Sequence, residues 1–275
     1  MQLQRYKGDV SQEKLETLVE FAKKTVVQAG KVVLKGFRTR REFVDKSDGS
    51  DFDPVTASDR NGEKLIRDAI AKHWPEHGVL GEEFGHHPGN GLTWVMDPID
   101  GTRAFVSGLL HWGVLLSLYD GRNVLLGAMY QPYVEELYWG TEKESHMLQG
   151  GQIRRLQTSD CTDISEAILS TTDPRLFQDP SESDAFRKVE NKVRLCRYGG
   201  DCYQYGLVAM GFIDVVIENS LNPWDIQALI PIVRGAGGCI STWDGNDPCM
   251  GDRAVATCSK RLHEQVLNAL NSAEN

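Results

Sequence analysis

No stretch of this chain approaches the roughly 20 apolar residues that a membrane-spanning helix needs. The N-terminus, MQLQRYKGDV, also has no apolar segment of the kind a secretory signal carries. No membrane partner is therefore expected, and a cytoplasmic location is. Cysteine is sparse. The six (Cys161, Cys196, Cys202, Cys239, Cys249 and Cys258) all fall in the second half, with no C-x-x-C pair. That pattern argues against a zinc knuckle, and a disulfide scaffold is unnecessary at 275 residues. Reduced thiols are expected. Basic charge is short as well. Thirty Lys+Arg against 39 Asp+Glu give a net charge of -9, which argues against a nucleic-acid partner. There is no G-x-S-x-G elbow, no Walker loop, no repeat and no low-complexity segment.

What is present is the composition of a globular protein, 40% hydrophobic and 25% charged. The length suits one large domain or two moderate ones. Apolar residues at helical spacing (Leu15, Leu18, Val19, Ala22, Val26, Ala29, Val33) predict a helix over 12–36, capped by Asp9 or Ser11. Residues 38–55 are polar and rich in Asp, Ser and Gly, and read as a mobile loop. A second helix is expected from Ser58 to His73. Strands are expected over 92–96, 113–119, 123–130, 134–139 and 145–149, with Asp120-Gly121 as a hairpin signal. After Gly150-Gly151 the rhythm changes. Strands (167–171, 193–196, 213–217, 254–258) alternate with helices (184–190, 201–211, 225–234, 260–271). Pro231 should kink the 225–234 helix or shift its start. Two domains follow, 1–150 and 151–275.

The densest chemical signal is Trp94-Val-Met-Asp97-Pro98-Ile99-Asp100-Gly101-Thr102. A strand is expected to end at Met96. Two carboxylates then follow three apart, separated by a rigid Pro, so Asp97, Asp100 and the Ile99 carbonyl would converge. Oxygen-only ligands of this kind suit Mg²⁺. Gly101 and Thr102 open a helical stretch whose N–H groups suit an anion. Glu82, after Val79-Leu80, and Asp225, in Pro223-Trp224-Asp225, are candidates to join. Taken alone, Asp225 reads as a helix cap. His86 and His87 read as solvated loop residues, and His111 as a residue on the rim of the site.

Trp94 to Thr102 with Phe105, together with Pro223-Trp224-Asp225 and Gly235-Ala-Gly-Gly238, resembles the two signatures of the inositol monophosphatase family. The resemblance covers nearly the whole chain. It implies an α+β/α/β layered sandwich of αβαβα order, an antiparallel N-terminal sheet between helices followed by a smaller α/β half. It implies a Mg²⁺-dependent phosphomonoesterase with two to three Mg²⁺ per site, Mn²⁺ as a substitute and inhibition by Li⁺. Glu82, Asp97 and the Ile99 carbonyl would hold one Mg²⁺; Asp97, Asp100 and Asp225 a second; Glu82 with waters a third. Thr102, paired with Asp59, would deprotonate the attacking water. Gly101 and Thr102 would receive the phosphate, and Lys46 would lie in a mobile loop near the third metal. A homodimer is implied, with Tyr130, Tyr133, Tyr138 and Trp139 covering its surface.

The substrate is expected to be a small phosphate ester. Gly199-Gly-Asp-Cys-Tyr-Gln-Tyr-Gly206 and Asp97 through Gly108 are similar to the histidinol-phosphate phosphatase branch of that family. Asp201 and Glu218 would pair with the ammonium group of histidinol phosphate, because charge-assisted hydrogen bonds are strong. Helix capping is a compatible reading of Asp201. Inositol phosphates or other small sugar or nucleotide phosphates are the alternative. A non-catalytic binding protein on the same scaffold is a third reading, opposed by the intact set of carboxylates.

Overall fold

The computed structural model describes residues 3–39, 43–45 and 54–272. Lys46 lies outside them, and with it the role expected of it. The first helix, α1 (Gln12–Leu34), starts where Ser11 accepts a hydrogen bond from the Lys14 N–H. It buries the stripe Leu18, Ala22, Val26, Ala29 and Val33. The stretch read as a loop contains two paired strands, β1 (Phe43–Asp45) and β2 (Pro54–Thr56), with Val44 opposite Val55. Phe-Val and Val-Thr are favourable strand residues, and this outweighs the polar composition around them. Helix α2 (Ala57–His73) follows.

Strands β3 (Gly78–Gly81), β4 (Gly85–His87) and β5 (Thr93–Asp100) come next, then the short helix α3 (Thr102–Val106). Strands β6 (Gly113–Tyr119), β7 (Val124–Gln131), β8 (Glu136–Gly140), β9 (Ser145–Gln149) and β10 (Gln152–Arg155) complete an eight-stranded sheet. Its order is β10-β9-β8-β7-β6-β5-β3-β4. It is antiparallel except where β3 runs parallel to β5. His86 and His87 are exposed as expected, but on the edge strand β4 rather than in a loop. Gly150 and Gly151, both at positive φ (57° and 77°), form the two-residue turn joining β9 to β10. Sheet membership therefore changes after Arg155.

The second half contains β11 (Ile168–Thr171), α4 (Pro180–Glu190), β12 (Leu195–Tyr198), α5 (Asp201–Ala209) and β13 (Val215–Leu221). It continues with α6 (Pro223–Ile226), α7 (Leu229–Gly235), β14 (Cys239–Ser241), β15 (Asp252–Thr257) and α8 (Lys260–Leu270). Its five-stranded sheet has the order β12-β11-β13-β15-β14. The helix expected over 225–234 is two helices. Pro231 sits in the first turn of α7, where its missing N–H costs nothing, so the proline shifts a helix start.

Side-chain alternation sorts the core into layers. Trp94, Met96, Val114, Leu116 and Leu118 pack with α1 and α2 on one face of the large sheet. Val95, Leu115, Met129 and Tyr138 face the other way, onto α5 and α7. Val216, Ala254 and Ala256 of the small sheet close that middle layer. Val215, Ile217 and Val255 point outward to α4 and α8. The result is the expected αβαβα sandwich. Tyr130, Tyr138 and Trp139 are buried inside the chain, which corrects the surface role given to them; of the four aromatics only Tyr133 is exposed. They sit on central strands, both of whose faces are covered by helices.

Candidate active site

The end of β5 is irregular in an informative way. Asp97 pairs with Leu115 and Asp100 with Gly113, so three steps on β5 match two on β6. This is a β-bulge. On a regular strand, residues three apart point to opposite faces. The extra residue turns Asp97 and Asp100 to the same side. The strand thus continues past Met96, its expected end, because β6 keeps pairing across the Pro. A second bulge lies in β13, where Glu218 pairs with Ala254 and Leu221 with Asp252. Ser220, at φ 58°, lies in it. The two bulges face one cleft of about 330 Å³, with Glu82, Thr102, Asp201, Tyr205 and Asp225 also in its wall.

Asp97, Asp100 and Asp225 each offer an oxygen, and the three oxygens lie within 4.8 Å of one another. Each carboxylate has its other oxygen, or one of the two, held by a backbone N–H. Ile99 donates to Asp97 Oδ1 at 2.8 Å, Cys202 to Asp100 Oδ2 at 2.7 Å, and Asn222 to Asp225 Oδ2 at 2.7 Å. Asp225 is therefore a capping residue and a cluster member at once. Glu82 lines the same cleft without belonging to this triangle. Its turn is fixed by Glu63 of α2, which accepts from the Glu83 and Phe84 N–H groups at 2.8 and 3.1 Å.

Like charges so close oppose ionisation. Burial, then the charges of Glu82, Asp100 and Asp225, hold the Asp97 carboxyl well above its ordinary range. Burial, then Asp225 and Asp201, do the same to Asp100. Burial and Glu82 push Asp225 up to about 7 against the Asn222 hydrogen bonds. A set of oxygen donors that repel one another is stabilised by a cation placed between them, and all-oxygen donors suit a hard divalent ion. The residues present fit such a group.

The hydrogen bond made by the Thr102 hydroxyl goes to the Ile99 carbonyl at 3.1 Å, not to Asp59. Threonine at a helix start readily bonds backward to its own backbone. Asp59 is buried on α2, near enough to add to the field at Asp97. Gly101 stands at φ 86°, and a Cβ there would meet His111 O at 2.6 Å and Asp201 Cβ at 3.0 Å. Asp201 is the first residue of α5, after Gly200 as cap, and its carboxylate accepts no hydrogen bond among the described residues. Burial and Glu218 push it up to about 7, outweighing the Arg103 guanidinium. Capping therefore does not explain Asp201. Glu218 takes the Thr172 N–H at 2.6 Å and the Thr171 and Thr172 hydroxyls at 3.3 and 3.1 Å. Its charge is in the wall, but its oxygens are engaged. Sequence reasoning gave no role to Cys202, Thr172, Tyr205 or Glu63; Cys202 and Tyr205 lie in the 199–206 run, whose signal was read only at Asp201.

The inositol monophosphatase family model matches residues 14–275. The chain belongs to this family. It is a phosphatase acting on small phosphate esters, in a family that is metal-dependent. A chloroplastic bifunctional phosphatase of Arabidopsis thaliana is 36% identical over 88% of this chain and 71% of its own. A histidinol-phosphatase of Chlorobaculum parvum is 33% identical, with 94% of this chain and 97% of its own covered. A solved inositol monophosphatase from Zymomonas mobilis superposes with a TM-score of 0.82 at 33% identity, covering 94% of this chain and 98% of that one. These family members carry different substrate names at similar identity, so the choice of ester has to be argued from the cleft.

Proposed function

We propose that this protein is a Mg²⁺-dependent histidinol-phosphate phosphatase, releasing phosphate and L-histidinol in histidine biosynthesis. The observation that carries the substrate is Asp201. Its carboxylate is mostly buried, lies beside Gly101 in the cleft wall, and accepts no hydrogen bond from the described residues. A ligand with an ammonium group would satisfy it, whereas inositol offers only hydroxyls. The histidinol-phosphatase of Chlorobaculum parvum, similar over nearly its full length, supports the same choice.

Glu82, Asp97 and the Ile99 carbonyl would hold one Mg²⁺; Asp97, Asp100 and Asp225 would hold a second; and Glu82 with waters would hold a third. When bound, these cations lower the pKa of water and neutralise charge on the phosphoryl and leaving oxygens. The chain does the rest. The Thr102 hydroxyl turns from the Ile99 carbonyl to orient the attacking water, and Asp59 takes up the proton that Thr102 passes on. Gly101 and Thr102 face the phosphoryl group. Asp201 pairs with the ammonium end of the ester. Glu218 fixes Thr172, whose hydroxyl in turn accepts from the Asp201 N–H at 3.1 Å, so the specificity wall is held from behind. No side chain is needed as a covalent nucleophile.

The test is a substrate panel. Purified protein is incubated with histidinol phosphate and with inositol 1-phosphate, with and without Mg²⁺. Faster turnover of histidinol phosphate, dependent on Mg²⁺, is expected. Faster turnover of the inositol ester overturns the substrate. No Mg²⁺-dependent phosphate release from either ester overturns the metal-assisted reading.

A further inference from the structure

Glu82 opens the turn that joins β3 to β4, with Gly81 paired to Gly85 across it. β3 runs beside β5 with Gly81 opposite Met96, so the next residue on each strand, Glu82 and Asp97, come to the same end of the sheet. The turn is gripped from α2, which Ile66 and Ile70 seat on the sheet. Glu63 is fully buried, and its carboxylate accepts from the Glu83 N–H at 2.8 Å on one oxygen and from the Phe84 N–H at 3.1 Å on the other. A Cβ on Gly81 would collide with that carboxylate, so the strand end passes directly against it. Arg67, one helical turn further on, donates from Nε to Glu63 Oε1 at 2.7 Å and from Nη2 to the Gly85 carbonyl. One guanidinium therefore ties the helix carboxylate to the far end of the turn. Phe84 is 43% exposed, so apolar burial contributes little to holding this segment. A buried carboxylate needs a charged partner, and the Nε contact alone would supply it. The second branch, to Gly85, goes to the turn that carries Glu82.

We propose that Arg67 is a positioning residue for the cation site, bridging Glu63 and the Gly85 carbonyl so that the turn holds Glu82 beside Asp97, a role that rests on reading Glu82 as a cation ligand. Each partner has a separate task. Glu63 holds the middle of the turn by its N–H groups. Arg67 neutralises Glu63 and pins the turn where it enters β4. The fork of a guanidinium reaches both acceptors, whereas a lysine ammonium is a point charge that serves the carboxylate alone. Outer partners that orient a ligand change cation affinity without touching the ion.

The test measures Mn²⁺ binding to the intact protein without substrate, with free Mn²⁺ read by electron paramagnetic resonance. Wild type is compared with Arg67→Lys, Glu82→Gln and the double variant, and circular dichroism in EDTA checks that each is folded. Arg67→Lys should bind Mn²⁺ more weakly by about tenfold. The double variant should bind it no more weakly than Glu82→Gln alone, because Arg67 acts through Glu82. A general loosening of the fold does not produce that non-additivity. Wild-type affinity in Arg67→Lys overturns the inference, since lysine keeps the charge and loses the fork. So do losses that add in the double variant. If Arg67→Lys is not folded, Arg67→Gln decides by the same two comparisons, since its amide can donate to Glu63 and cannot span to Gly85 as well. Glu82→Gln that binds Mn²⁺ as wild type does overturns the reading of Glu82 as a ligand, and the inference with it, without any change at Arg67.

Discussion

The Cys202 backbone N–H donates to Asp100 Oδ2 at 2.7 Å across 102 residues of sequence. The first N–H groups of a helix have no partner within it, so the start of α5 is a natural place to anchor a carboxylate. The same helix is docked on the large sheet by Tyr203, whose hydroxyl donates to the buried Glu136 at 2.7 Å. Glu136 also accepts from Tyr138 at 2.6 Å. The two halves of the chain are thus tied together at the start of α5.

This relationship runs through the Cys202 backbone, and the thiol adds only a long contact to the Asp100 carbonyl at 3.9 Å. Cys202→Ala keeps the N–H, so turnover should stay at the wild-type order of magnitude. Cation affinity should be unchanged by the same reasoning. Steady-state kinetics and a Mg²⁺ titration check both, and a large loss of cation affinity would give the sulfur a role that the hydrogen bond does not.

Asp97→Asn separates stability from function. Asp97 is 2% exposed and faces the charges of Glu82, Asp100 and Asp225. Replacing it removes repulsion as well as a proposed ligand. Mg²⁺-dependent turnover should fall by more than about 100-fold, since even outer partners of metal ligands contribute 10–100-fold. The melting temperature in EDTA should rise, the usual sign of a site strained for function. A variant with less stability in EDTA would mean that the carboxylate is mainly structural.

Stability should depend on pH with a sign set by the cluster. Burial and Glu82 push Asp225 up to about 7, and burial with Glu218 does the same to Asp201. Carboxylates whose pKa is raised on folding stabilise the protonated fold. That contribution is complete below about pH 4 and is lost as pH rises through 7. His77 and His263, which burial lowers to about 4, have the opposite effect below pH 6.5, with or without Mg²⁺. The difference between curves in Mg²⁺ and in EDTA therefore isolates the carboxylates. The Mg²⁺-induced rise in melting temperature should grow as pH increases from 5.5 to 8. An increment independent of pH would contradict the cation-binding account.

Much of this architecture was legible in the chain because it is local. The α1 stripe, the β6–β7 hairpin and the alternation of the second half are periodic signals. Asp97, Asp100 and Asp225 were visible because a Pro, a Gly and a helix start fix their neighbourhoods. Non-local pairing was not visible. The bulge that turns Asp97 and Asp100 to one side depends on β6, and the β1–β2 pairing depends on two short segments finding each other. Cys202, Thr172 and Glu63 have roles set by contacts across the fold, and neither residue type nor spacing announces them. The split of 225–234 was half legible, since Pro231 allowed either a kink or a new start.

The central claim is that Asp201 selects an ester with a positive end. The most direct test measures kcat/KM for histidinol phosphate and for inositol 1-phosphate in wild type and in Asp201→Ala. Hydrogen bonds to charged groups contribute about 1.5–3 kcal/mol, so the variant should lose about 10- to 100-fold on histidinol phosphate. Turnover of the inositol ester should be nearly unchanged. Equal losses on both substrates would contradict the account and leave Asp201 as part of the general machinery of the cleft.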